Sequence, residues 1–212
     1  MIKFLIDTSS SNIILGLYQD NQPIKEIIEE NDHQLSSRIF PLIDQLFHSA
    51  EKKVEEVDEI VVVNGPGSFT GVRIGVTIAK TYAWSQKKKI ISISELQVMA
   101  STKTDTDYLI PMIDARRNCV YAGIYDRDLN TVLNDQYLSI EDLKKEVEKL
   151  DGSYTYLCDT KLDQLDDCIP SHPDLGKVLK YHENDAGINP HQVNPNYLKK
   201  TEAEENLDAK RS

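Results

Sequence analysis

What is scarce in these 212 residues narrows the field first. Only three cysteines occur, Cys119, Cys158 and Cys168, and none forms a CxxC pair. An odd number at such spacings suggests neither a disulfide framework nor a cysteine-rich zinc site, and a reducing compartment is expected. No apolar run approaches the roughly 18 residues of a spanning helix, and no basic segment leads into an apolar stretch at the start. A cytoplasmic protein away from membranes is the reading. Positive charge is also short: 24 Lys and Arg against 35 Asp and Glu leave a net charge of −11. Most of such a surface repels a phosphodiester backbone, so direct nucleic-acid binding is not expected to be its main task. The HExxH pattern of a metallopeptidase is absent, and the five histidines offer no i, i+4 pair for a metal. His172, His182 and His191 read as solvated.

The residues that are present alternate between two periods. Short apolar runs at 2–6, 12–18 and 23–28, separated by turn residues, read as an antiparallel meander. Leu35, Ile39, Leu42, Ile43, Leu46 and Phe47 then recur at helical spacing, with Asn31 or Asp32 to cap the start. Pro41 should kink that helix or mark its true beginning. A buried strand at 59–63, a helix over 72–84, a strand at 89–93 and a short helix over 94–101 follow. At Tyr108 the pattern restarts. Ile6-Asp7, Gly16 and Tyr18 are echoed by Ile113-Asp114, Gly123 and Tyr125, all at one offset. The second half again offers strands and a helix, with Ser139 and Asp142 placed as a capping box. The fold expected is α/β, two lobes of β-β-β-α-β-α order, divided as 1–104 and 105–212 with the second reduced.

Chemistry concentrates in NGPGSFTGVRIG, residues 64–75, between a buried strand and a helix. It lacks the Gly-Lys pair of a Walker A loop, and Ser68 lacks the flanking glycines of a nucleophile elbow. Glycines 65, 67 and 71 miss the dinucleotide fingerprint by one residue. Two readings stay open. The amides of Ser68, Phe69 and Thr70 could hold an anion at the helix start. Alternatively the glycines serve packing, with Gly71 and Gly75 allowing another helix close approach. Asp7, followed by Thr8-Ser9-Ser10-Ser11, could hold a hydrated magnesium ion near phosphates or simply begin a turn.

Taken together, IDTS, a helix containing Pro-Leu-Ile, GPGSFTGVRIG, IDARRNCVYAGIYD and PNYLKKTEAE resemble the TsaB (YeaZ) family of the actin-like, sugar-kinase and Hsp70 ATPase superfamily. The resemblance covers nearly the whole chain. It implies an actin-like (ribonuclease H-like) fold and a non-catalytic subunit for N6-threonylcarbamoyladenosine (t6A) formation in tRNA. Its partners would be a TsaD-type threonylcarbamoyltransferase and a TsaE-type ATPase, with homodimers when the partner is missing. The resemblance places the partner surface on the first two helices, and residues carried over from the apolar stripes are Leu35, Ile39, Ile43, Phe47, Gly71, Val72, Gly75, Val76 and Ala79. No cofactor is expected, although a nucleotide at the partner interface stays open. Asp7, Gly67, Ser68, Thr70 and Arg73 would be the remnant of a nucleotide site. Where a second phosphate turn should follow Asp114, the chain reads Ala115-Arg116-Arg117-Asn118 without glycine, leaving the clamp half built. An ATP-dependent phosphotransferase of the same superfamily is the alternative.

Overall fold

The first three apolar runs form a meander, β1 (Ile2–Asp7), β2 (Asn12–Gln19) and β3 (Gln22–Glu30), in the computed structural model, which describes residues 1–31, 34–160 and 167–199. β4 (Glu59–Val63) and β5 (Lys89–Ile93) join parallel to β1 on its other side, giving the order β3-β2-β1-β4-β5. β4 is buried throughout because both faces of the sheet are covered, which is why it reads as an unbroken apolar run. Helices α1 (Leu35–Ser49) and α2 (Phe69–Ser85) send their apolar stripes onto one face, where Phe4, Ile6, Ile60 and Val62 meet them. The alternate residues Leu5, Val61 and Val63 point the other way, toward α3 (Glu95–Ala100) and the second lobe.

That second lobe repeats the plan. β6 (Tyr108–Asp114), β7 (Cys119–Asp126), β8 (Thr131–Ser139), β9 (Tyr154–Cys158) and β10 (Ile169–Pro170) lie in the order β10-β9-β6-β7-β8. Antiparallel and parallel pairings fall as in the first sheet. The one-offset echo in sequence thus marks two copies of one topology, and the reduction is concrete: β10 has two residues where β5 has five. α4 (Ile140–Val147) is capped by Ser139, whose hydroxyl accepts from the Asp142 amide.

Several expectations are corrected. Pro41 neither starts nor ends α1, which runs through it, since six buried apolar residues hold the helix across the missing amide. Its N-cap is Gln34; the Asn31 side chain instead donates to the Ser10 carbonyl, and Asp32 lies outside the described residues. Cys158 and Cys168 are joined in a disulfide, leaving Cys119 free. Spacing concealed the pair because parallel pairing of β9 and β10 is what brings them together. His182 is not simply solvated: its ring bonds Gln97 on one side and Asp185 on the other. Finally, residues beyond β10 are not confined to the second lobe. α5 (Leu175–Tyr181) packs between the sheets, Ile188 bridges Ile90, and Val193 enters the first core. These apolar side chains find cover there that a two-residue edge strand does not provide.

Candidate functional site

The glycine-rich loop closes on the turn that follows β1. Ser68 caps α2, accepting from the Gly71 amide at 3.2 Å, while its own amide donates to the Ser9 carbonyl at 2.7 Å. Thr8 Oγ1 donates to the Gly71 carbonyl at 2.7 Å. A Cβ at Gly67 would stand 2.2 Å from the Ser9 carbonyl oxygen, at Gly71 1.9 Å from that of Thr8, and at Gly75 2.5 Å from Thr8 Oγ1. The glycines do permit close approach, but to the chain's own first turn rather than to a second helix. Of the amides that could cradle an anion, Ser68's is thereby committed. Those of Phe69 and Thr70 remain, beside a cleft of 370 Å³ lined by Ser10, Ser36, Ser68 and Thr70.

Asp7 sits beneath this clamp with no exposed surface. Its Oδ1 accepts from the Ser9 amide at 2.8 Å and lies 2.7 Å from Ser9 Oγ, so it begins the turn. Ser9 Oγ is also 3.0 Å from Glu95 Oε2, and Glu95 is only 4% exposed. Among the described residues Asp7 Oδ2 has no donor unless Glu95 carries a proton, and a protonated Glu95 hydrogen-bonds Asp7. Two buried carboxyls that meet on one hydroxyl are costly to ionise together, so one proton between them is expected. Burial raises the Glu95 pKa well above the ordinary carboxylate range, and the neighbouring Asp7 adds to it; burial also raises Asp7, against the Ser9 hydrogen bonds. Sequence gave no sign of this pairing, because Glu95 in the first turn of a helix looks like an ordinary complement to the dipole.

A pH dependence follows. The folded state keeps a proton that the unfolded chain releases near the usual carboxylate range, so the stability this pair contributes is intact in acid and lost as pH rises toward the raised value. The limiting slope is about 1.4 kcal/mol per pH unit for one proton. Glu95→Gln retains an amide donor and cannot titrate. Urea unfolding from pH 5 upward should show the stability difference, variant minus wild type, growing with pH. A difference independent of pH would mean that Glu95 is not protonated in the folded chain.

The corresponding turn of the second lobe spends three of its amides internally. Those of Ala115 and Cys119 bond within the turn, and that of Arg116 donates to Asp114 Oδ1 at 2.8 Å. Arg116, Arg117 and Asn118 all adopt positive φ without glycine. Arg73 is likewise occupied, with its guanidinium 3.9 Å above the Phe69 ring and Nε donating to Tyr197 Oη at 2.6 Å.

The stripe residues carried over as a partner surface are also placed inward. Leu35, Ile39, Ile43, Phe47, Val72, Val76 and Ala79 are buried in the first core, with Gly71 and Gly75 buried against Thr8. An amphipathic helix on a sheet buries its apolar face, so the surface left for a partner is the reverse of each helix. On α1 that face carries Ser37, Phe40, Asp44 and His48; on α2 it carries Thr70, Arg73, Thr77, Thr81 and Trp84. Phe40 is 61% and Trp84 62% exposed, and Trp84 borders a groove of 380 Å³ shared with Lys80, Pro190 and His191. Neither aromatic belongs to the apolar stripe, which is why periodicity passed over them.

Comparison with known proteins finds a TsaB protein as a nearly full-length relative and a TsaD family model over the middle of the chain. A family model described as "TsaD: tRNA N6-adenosine threonylcarbamoyltransferase" matches residues 25–157. The tRNA threonylcarbamoyladenosine biosynthesis protein TsaB of Bacillus subtilis is 32% identical over 94% of both chains. The protein of the same name from Escherichia coli is 28% identical over 70% of this chain and 67% of its own. In structure, YeaZ from Pseudomonas aeruginosa superposes with a TM-score of 0.73 at 20% identity, covering 92% of this chain and 100% of that one.

Proposed function

The chain belongs to the TsaB family, and from that membership we propose that it acts in tRNA threonylcarbamoyladenosine biosynthesis as a non-catalytic subunit that binds and activates a TsaD-type threonylcarbamoyltransferase, together with a TsaE-type ATPase. The observation that carries the reading is the inward commitment of the glycine loop. A nucleotide-using relative needs loop amides free for phosphate; here those of Ser68, of Ser9 after Asp7, and of Ala115, Arg116 and Cys119 after Asp114 are spent on the chain itself, which leaves those of Phe69 and Thr70 in the glycine loop. What remains available is the outer side of α1 and α2. A stable interface buries about 1,200 to 2,000 Å² in total, an area that two helices per partner can supply. In this reading the same surface also serves for pairing with a second copy when the enzyme is missing.

The test is reconstitution of t6A synthesis from a TsaD-type protein, a TsaE-type ATPase, threonylcarbamoyl-adenylate and tRNA. Modification should depend on this chain, and the chain alone should form none. Equal rates with and without it would refute an activating role.

A further inference from the structure

From the position of the Cys158–Cys168 disulfide we infer that it is a reversible thiol–disulfide site for small-molecule thiols and disulfides, and that its state sets how firmly the two lobes are latched. Cys158 ends β9, and Cys168 immediately precedes β10, with Cα atoms 6.1 Å apart, within the separation that a disulfide spans. The next residue, Asp159, crosses the cleft. Its carboxylate accepts from Ser11 Oγ at 2.7 Å and from the Ser11 amide at 3.3 Å, in the turn between β1 and β2. That turn is the one clamped by the glycine loop, and the Asp159 charge is felt by both Asp7 and Glu95. The crosslink thus fixes the chain next to a residue that ties one lobe to the other.

The two sulfurs are unequal in access. Cys158 is buried, whereas Cys168 is half-buried beside the exposed Ile169 and Pro170 on an edge strand. Attack therefore falls on Cys168. A small thiolate bonds to Cys168 Sγ, and the electron pair of the protein disulfide leaves on Cys158 Sγ, which takes up a proton. A second thiolate attacks the small-molecule sulfur of the mixed disulfide, and Cys168 leaves and is protonated. Two small thiols have become one small disulfide while the protein has gained two thiols; glutathione disulfide drives the reverse. This site stands independently of the assignment to tRNA modification.

The test compares the full chain equilibrated with glutathione disulfide and with dithiothreitol. Alkylation under denaturing conditions followed by mass measurement should find only Cys119 modified in the first and all three cysteines in the second. Hydrogen exchange at the Ser11 amide should be several-fold slower in the oxidised form. The unfolding equilibrium should differ by about a hundredfold, as expected for closing a ring of this size. Cys168→Ser should exchange as the reduced form under both conditions. Asp159→Ala should still form the disulfide yet lose the redox dependence at Ser11. If all three cysteines remain alkylatable after glutathione disulfide, there is no such site. If the disulfide forms and Ser11 exchanges equally fast in both states of the wild type, the latch is refuted.

Discussion

Gly71→Ala is expected to destabilise the chain by about 3 kcal/mol or more, enough to unfold a marginal domain. The sign is what makes the result informative. Within a helix this change ordinarily stabilises by roughly 0.8 to 1.0 kcal/mol, because alanine loses less backbone freedom. Here the new methyl would stand 1.9 Å from the Thr8 carbonyl oxygen. The obstacle is backbone at the end of the central strand, and it is fixed from two sides. β1 is paired with β2 up to Asp7, and Thr8 Oγ1 is bonded to the carbonyl of Gly71 itself. Relief requires α2 to lift from the sheet, which uncovers Val72, Val76 and Ala79. Thr77→Ala, exposed on the same helix, supplies the control and should change stability by no more than about 0.5 kcal/mol. Urea unfolding of the two variants decides the matter. A Gly71→Ala protein as stable as wild type would show that the loop does not clamp the first turn.

The second large effect is on association. Phe40→Asp and Trp84→Asp should each weaken binding to the TsaD-type partner by about a hundredfold, close to 3 kcal/mol, while leaving the unfolding midpoint nearly unchanged. Exposed aromatics, of which Trp84 also borders a groove, have the character of binding hot spots, and a carboxylate there sets a charge against a surface that must lose water. The inward stripe cannot be tested in this way. Val76→Asp would place an unpaired charge in the first core and unfold the chain, so a loss of association would carry no information about contact. The choice of outward residues is therefore what separates a binding defect from a folding defect.

Much of the architecture was legible because period and repetition are local properties. The apolar stripe of α1, the buried run of β4 and the echo between Ile6-Asp7 and Ile113-Asp114 all survive in the structure. The site was legible only in part. Glycine spacing marked residues 64–75 as a place of close approach, yet nothing along the chain said what approaches, because Thr8 and Ser9 are distant in sequence. Glu95 reads as a helix-start acid until the fold sets it against Asp7. Lys3 is buried, ion-paired with Glu59 and bonded to the Leu179 carbonyl, a placement that depends on α5 arriving from the far end of the chain. Phe40 and Trp84 fell outside the apolar stripe, and a pattern that finds the core is blind to the aromatics left on the opposite face.

The claim on which the account rests is that α1 and α2 turn their apolar stripes inward and meet the enzyme partner with their outer faces. Calorimetric titration of the TsaD-type protein into this chain, wild type and Phe40→Asp/Trp84→Asp, addresses it most directly, with both chains first shown to unfold at the same urea concentration. The expected result is saturable binding by the wild type and none measurable by the double variant. Equal affinities for the two would contradict it.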